Sequence, residues 1–315
     1  MSWENTPCLV TGGAGFIGSH IAETLAQKGA QVTVLDDLST GREANLEPLR
    51  ELGVDFVCGS ILDEELLAKT FVGVEYVFHQ AAFVSVPRSV VEPGLCNEVN
   101  VTGTLRVLEA AKQAEVKKLL YAASSSAYGE TPTLPKVETM PPSPLSPYAV
   151  AKLTAEHYCA IYTLVYNLPT TALRYFNVYG PRQDPTSQYA AVVPNFITAA
   201  AKGDSPIIYG DGEQSRDFTF VADAVQANLK AALSPKADGT VVNVAVGERT
   251  TINELAAMVT KLVGVEVEPE YMEPRAGDIR HSLADISRAQ ELMGYEPQYN
   301  LEQGLRESVK FFIGG

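Results

Sequence analysis

The segment SPYAVAK at residues 146–152 places a phenol and an amine, Tyr148 and Lys152, four positions apart. On a helix that spacing puts both side chains on one side, one turn apart. A free phenol titrates near pKa ~10, too high for a base at neutral pH, and a nearby ammonium favours the phenolate. The two titrations could therefore couple, set against the plainer reading of a lysine stem lying over a tyrosine ring. Three consecutive serines, Ser124, Ser125 and Ser126, add hydroxyls upstream, and CLVTGGAGFIGSH at 8–20 holds Gly12, Gly15 and Gly18 in a G-x-x-G-x-x-G spacing. Glycines so spaced let backbone amides approach a pyrophosphate at a helix N-terminus. Asp36 follows 18 residues after Gly18, where an acid accepts hydrogen bonds from the adenosine ribose hydroxyls. A 2′-phosphate would meet that carboxylate at close range, so NAD is expected rather than NADP.

These groups need a frame. Ser146 can cap a helix and Pro147 suits its first position, where the missing N–H costs nothing. Residues 8–37 read as strand, glycine turn, helix and strand, with Ile17, Ile21 and Leu25 in helical step, Gly29 closing the helix, and Val32, Val34 and Leu35 in the next strand. Strand-like runs recur at 54–58, 74–78, 118–123 and 170–175, separated by helical segments such as 101–114 and 147–166. Strands alternating with helices predict an α/β protein with a Rossmann-type, doubly wound parallel sheet. Ligands then lie beyond the carboxyl ends of the strands. The segments found there are HQAAFVSVP, SSSAYG and FNVYGPR.

The 315 residues suffice for one large α/β core and a smaller second unit. Apolar residues at 46% and charged residues at 20% give an ordinary globular balance, without a low-complexity tract. A net charge of −14 disfavours nucleic acid and anionic membrane as partners, so any anion must be held locally. Cys8, Cys58, Cys96 and Cys159 form no C-x-x-C pair, and neither a zinc site nor a disulfide framework is expected. No run reaches 18 apolar residues, and MSWENTPCLV lacks the basic and hydrophobic regions of a secretory leader. The expected compartment is the cytoplasm.

TGGAGFIG, SSSAYG, the Tyr148-x-x-x-Lys152 pair and RYFNVYGPRQ at 174–183 follow one another in an order that resembles the extended short-chain dehydrogenase/reductase superfamily and, within it, the UDP-sugar 4-epimerases. The resemblance runs over essentially the whole chain. It implies that Tyr148 is the catalytic base, that Lys152 lowers its pKa and binds the nicotinamide ribose, and that Ser124 bridges Tyr148 to the sugar 4-hydroxyl, with Ser125 and Ser126 as near alternatives. It implies NAD contacts from Gly12, Gly15, Phe16, Ile17 and Gly18 in the first turn and from Asp36 and Asp37 after the second strand. Further contacts are implied at Ser60 and Ile61, at Gln80, Ala81 and Ala82, and at Asn100, Tyr148, Lys152 and Tyr175. The implied reaction is C4 epimerisation of UDP-hexoses by transient oxidation to a 4-keto sugar.

For the sugar nucleotide, the resemblance implies Arg216 and Arg275 as diphosphate ligands, a task that planar guanidinium forks suit. Asn177 matches a substrate-contacting asparagine and Asp278 an acid near the nucleotide ribose, while Ser85, Val193 and Tyr209 are expected at pocket walls. Ser282, four residues past Asp278, matches the position beside the sugar C2 substituent, where a tyrosine would admit only a plain hydroxyl and a serine leaves room for an acetamido group. One departure is Ser60, where the family usually has an aspartate facing the adenine amino group. A serine accepts that hydrogen bond without the carboxylate's charge. The expected division is 1–178 with 219–247 for NAD and 179–218 with 248–315 for the UDP-sugar, and the helices near 101–114 and 147–166 match a homodimer interface. Sugar-nucleotide 4,6-dehydratases share the fold but carry an Asp-Glu pair where this chain has Ser125 and Ser126. UDP-uronate epimerases or decarboxylases are a closer alternative, and an NAD-sensing protein without catalysis is a third, against which the retained Tyr148 and Lys152 argue.

Overall fold

The computed structural model describes residues 2–185, 192–274 and 279–314. Seven strands form one sheet: β1 Pro7–Thr11, β2 Gln31–Asp36, β3 Asp55–Cys58, β4 Tyr76–His79, β5 Lys118–Ser124, β6 Thr170–Tyr175 and β7 Thr240–Val244. Their order is β7-β6-β5-β4-β1-β2-β3, with every neighbouring pair parallel. The chain winds outward from β1 through β2 to β3, then returns to β4 on the other side of β1. That reversal opens a crevice between the carboxyl ends of β1 and β4, the usual ligand position in such sheets. The expected runs at 54–58 and 74–78 pair only from Asp55 and Tyr76, because ladder hydrogen bonds begin later than the apolar pattern does.

Both faces of the sheet are covered. Helices α1 Phe16–Gln27 and α5 Val221–Ala232 lie over one, α2 Thr104–Gln113 and α3 Pro147–Tyr166 over the other. In α1, Ile21 and Leu25 are fully enclosed against Val10 and Val34, and each such burial contributes roughly 1.5–3 kcal/mol. A separate apolar cluster of Phe196, Ile197, Phe220, Leu255, Val259 and Leu305 joins α4 Val192–Lys202, α6 Ile252–Val263 and α7 Leu301–Ile313. Val193 belongs inside it, 1% exposed. The helical apolar stripe of α4 turns this residue into the core.

The helical run expected at 101–114 is also more complicated. Regular α-helix starts at Thr104, and residues Glu98–Gly103 form a π turn, a feature frequent at functional sites. The turn aims Asn100 at the loop after β4, where its Oδ1 accepts from Phe83 N (2.8 Å) and its Nδ2 donates to Phe83 O (3.0 Å). Thr104 Oγ1 donates its one proton to Asn100 O (2.8 Å), so it can only accept from His79 Nε2 at 3.0 Å. His79 Nδ1 is then bare and accepts the Thr11 hydroxyl at 2.7 Å, whose oxygen faces Ala81 N at 3.4 Å. This chain ties β1, β4 and the π turn through a neutral imidazole.

Burial pushes the His79 pKa down to about 3, and the Lys152 charge acts in the same direction. The unfolded ring titrates near ~6.5, so between these values the unfolded state binds the extra proton. Stability is therefore present above pH ~6.5 and lost as pH falls toward 3, at up to about 1.4 kcal/mol per pH unit. In urea titrations at pH 6.5 and 4.5, the wild type is expected to lose about 2 kcal/mol more than His79→Gln does. Equal losses in both proteins would mean that the buried ring is not held neutral.

Candidate active site

The glycine turn is built by close approach. Gly12 has φ +70°, and a Cβ there would stand 2.5 Å from Ala81 N and 2.8 Å from Gln80 C, the start of the loop after β4. A Cβ at Gly18 would collide with the Gly12 carbonyl. Gly15 is the N-cap of α1 and brings no side chain over the free amides of that helix, which opens with Phe16 and Ile17. Asp36, at the end of β2, accepts from Ala14 N (2.9 Å) and Leu38 N (2.8 Å). Each carboxylate oxygen keeps a second lone pair for a ribose hydroxyl. Burial raises its pKa, and those two hydrogen bonds work against the rise. A backbone cradle that a side chain would fill, with an acid at the next strand end, fits a dinucleotide.

Around that cradle the other expected contacts divide. Asp37 caps its own turn through Ser39 N (2.9 Å), and Ser60 accepts from Leu62 N (3.2 Å). Gln80, Ala81 and Ala82 line the loop above β4 and are half-buried. Two more of the expected residues have partners within the protein. The Ile61 side chain is buried and packs where a Cβ on Gly103 would be, and the Asn100 amide bonds to Phe83. Asn100 thus holds the loop that follows β4.

Tyr148 stands in the first turn of α3. Ser146 caps that helix by accepting from Ala149 N (3.1 Å), and the Tyr148 N–H is taken up by Ser89 Oγ (3.1 Å). Ser89 is fully buried in the helix Val86–Val91 and passes its own proton to Val86 O (2.6 Å). Ser85 caps that short helix, accepting from Arg88 N (3.2 Å). The Tyr148 phenol faces the Ser124 side chain, at the end of β5, and that neighbour favours its phenolate. Ser125 and Ser126 follow in the 3-10 turn Ser125–Tyr128, where Ser124 Oγ also accepts from Ser126 N (3.2 Å).

Lys152, one turn on, is held by the strand beneath its helix. Its ammonium donates to Ala122 O (2.8 Å) and sits 5.1 Å from the Tyr121 ring centre, and burial lowers its pKa to about 8. Burial raises the Tyr148 pKa, and the neighbour favouring its phenolate is Ser124.

Beneath these groups lies a buried ion pair that the sequence did not single out. Glu156, two turns beyond Tyr148, receives Arg174 Nε (2.8 Å) and Nη2 (2.6 Å) from β6, with both side chains 4% exposed. The guanidinium carbon also lies 4.6 Å from the Tyr128 ring centre, in the serine turn. Tyr128 O–H donates to Asn243 Oδ1 (2.7 Å) on β7, and Asn243 Nδ2 donates to Lys136 O (3.0 Å) and Asp285 O (3.1 Å).

On the substrate side, β6 breaks at Asn177, which takes φ +36° and donates to Asp217 O (2.9 Å). Asp217 is fully buried and accepts from Val246 N, Gly247 N and Ala284 N at 3.0–3.2 Å. Burial pushes its carboxyl up to about 6. It thus clamps the loop after β7 and the 280–284 segment to the short strand Ser215–Arg216. Across that clamp Ser282 N donates to Ser215 O (3.0 Å), and Arg216 Nη1 donates to Ser215 O (3.0 Å) and Arg280 O (3.4 Å). Arg216 and Ser282 are therefore neighbours, and Tyr209 closes the nearby strand Ile207–Tyr209. Arg275 and Asp278 lie outside the described residues. His281 hydrogen-bonds Ser215 Oγ through Nδ1 (2.8 Å), and its pKa is lowered by burial and by Arg249, Arg280 and Arg216. Three guanidiniums converge there, with Arg280 held by Asp211 at 2.7 and 2.9 Å. Arg249 and Arg280 carried no pattern that would have marked them.

Comparison with known proteins places this geometry. Residues 8–245 match the model of the NAD dependent epimerase/dehydratase family. A UDP-glucose 4-epimerase of Mycolicibacterium smegmatis is 42% identical over 308 residues, covering 96% of this chain and 97% of the relative. A UDP-N-acetylglucosamine 4-epimerase of Methanobrevibacter ruminantium M1, solved in complex with UDP-N-acetylmuramic acid, superposes with a TM-score of 0.95 at 42% identity, over 99% of both chains. A UDP-N-acetyl-alpha-D-glucosaminuronate decarboxylase of Bacillus cytotoxicus is 35% identical over 317 residues, 97% of each chain.

The buried pair makes a prediction of its own. Glu156→Leu strands a charged guanidinium, and removing one partner of a buried pair costs about 3–5 kcal/mol. Adding Arg174→Met is expected to recover part of that loss, read as the shift of the urea unfolding curve. A Glu156→Leu protein within about 1 kcal/mol of wild type would show that the pair does not hold α3.

Proposed function

The chain belongs to the NAD dependent epimerase/dehydratase family and uses NAD, and from that premise we propose that it interconverts UDP-hexoses at C4, acting on UDP-GlcNAc/UDP-GalNAc as well as UDP-Glc/UDP-Gal. The observation that carries the reading is the placement of the Tyr148 phenol beside Ser124 at the carboxyl end of β5, one turn before Lys152 on α3. Tyr148 takes the proton of the sugar 4-hydroxyl and later returns it, and Ser124 holds that hydroxyl against the phenol. Held over the Gly12–Gly18 turn with Asp36 at its ribose, NAD would supply a reversible hydride acceptor for C4. Ser125 and Ser126, in place of an acid pair, leave no group suited to eliminating a 6-hydroxyl. Arg216, together with Arg275, holds the diphosphate, in a corner that Arg249 and Arg280 make more positive.

The acetamido group enters through Ser282. Its backbone is pinned to Ser215 beside Arg216, which supports a place next to the sugar rather than at a remote turn. Ser282→Tyr should suppress turnover of the N-acetylated pair selectively, because overfilling a pocket excludes the larger substituent. Product analysis by NMR with UDP-GlcNAc, UDP-Glc and UDP-glucuronate tests both statements. Loss of the carboxyl group from UDP-glucuronate, without epimerisation of the neutral sugars, would move the protein to the decarboxylase reading. If Ser282→Tyr slows both neutral pairs equally, Ser282 is not the gate.

The protein works as a homodimer in this reading. Val150, Ile161, Leu164 and Val165 on α3, with Val90, Val91 and Leu95 of the short helices beside it, are exposed, Leu164 to 77%. A continuous apolar face of that kind marks an association surface. The contribution expected from the 101–114 helix is smaller, since α2 adds no large exposed apolar side chain among the described residues. Sedimentation equilibrium should give a dimer for the wild type and a monomer for Leu164→Glu, and a monomeric wild type at micromolar concentration removes the assignment.

A further inference from the structure

Asn228, on α5, is fully buried and lies behind the crevice between β1 and β4. Its two amide protons go to Ala224 O (2.8 Å) and to the Tyr175 hydroxyl (2.7 Å), and its oxygen faces Gln80 Nε2 (3.3 Å). Tyr175 O–H in turn faces Gln80 Oε1 (3.3 Å). The three side chains, from α5 and the ends of β6 and β4, thus close a ring in which every member donates once and accepts once.

The direction of the ring is fixed from one point. The Ala224 carbonyl can only accept, so the Asn228 amide cannot flip without setting oxygen against oxygen. With that amide fixed, Tyr175 receives from Asn228 and must donate to Gln80, and the Gln80 amide is oriented as well. Burial raises the Tyr175 pKa to about 12, which keeps its proton in place for that donation. Gln80 and Tyr175 are half-buried, whereas Asn228 has no access at all. The Gln80 backbone N–H is bonded to Thr11 O (3.0 Å), and a Cβ on Gly12 would come within 2.8 Å of Gln80 C. The ring therefore stands directly under the glycine turn.

We propose that Asn228 is a positioning residue for the dinucleotide, which fixes through this ring the orientation of Gln80 and Tyr175 at the floor of the crevice. The inference rests on the reading that Gln80 and Tyr175 touch NAD. Without Asn228 both side chains can rotate, and the free energy of ordering them falls on binding.

The test is titration calorimetry of protein freed of nucleotide, with NAD and separately with UDP. Asn228→Leu should raise the NAD dissociation constant about tenfold, the size of one ordinary hydrogen bond, and leave the UDP value within twofold. Asn228→Ser, too short to close the ring, should do the same and stands in if the leucine variant does not fold. Tyr175→Phe should weaken NAD similarly, and the Asn228→Leu/Tyr175→Phe double variant should lose no more than the weaker single, because the two act as one unit. NAD affinity within twofold of wild type in both Asn228 variants overturns the inference. If Tyr175→Phe still weakens NAD, the contact reading survives that result; if it does not, the contact reading falls with it.

Discussion

The Glu156 carboxylate and the Arg174 guanidinium meet in two parallel hydrogen bonds, almost wholly out of water, and the arrangement above them depends on that meeting. A charge in such a place is tolerable only with a partner of matching shape, so α3 sits where its glutamate reaches β6. The same guanidinium lies against Tyr128, which fixes the serine turn, and Tyr128 is bonded to Asn243, which gathers the 136 and 285 backbones. One ion pair thereby relates the helix bearing Tyr148 and Lys152, the turn after Ser124 and the segment running on from Ser282. Ser282 and Tyr148 thus share a common footing.

Much of this was legible in the sequence, for reasons that differ by residue. The α3 helix begins at Pro147 and ends at Tyr166, as expected, because Ser146 and Pro147 state its start in local chemistry. The glycine turn was legible because Gly12 and Gly18 answer steric demands within a short stretch. Glu156, Arg174, Asp217 and Asn228 were not, since each works through partners 18 to 148 residues away or through backbone groups that carry no side-chain signature. Lys152 is the instructive case. Its spacing from Tyr148 is right, yet the carbonyl that takes its ammonium, Ala122 O, belongs to a strand that helical periodicity says nothing about.

The charge distribution shows the same contrast of scale. The chain carries a net charge of −14, which would repel a diphosphate at long range. Around His281, three arginines from separate segments bring positive charge close together. At a Debye length of about 8 Å in physiological salt, the near field decides binding and the far field is largely screened. Asp211 holds Arg280 in two hydrogen bonds, so the corner is shaped as well as charged.

The π turn at Glu98–Gly103 has a consequence in terms of phase. An α-helix advances by about 100° per residue, so one extra residue in a turn displaces everything before it by that angle relative to everything after it. Downstream, Val107, Leu108 and Ala111 of α2 point to the sheet. Upstream, Cys96 and Asn100 point to Phe83 and Ala151 instead. A single continuous rod could serve one of these surfaces but not both. The inserted residue works as a phase adapter, letting one stretch of chain read two walls of the protein, and deleting a residue there would restore an unbroken helix at the expense of the loop that begins with Gln80.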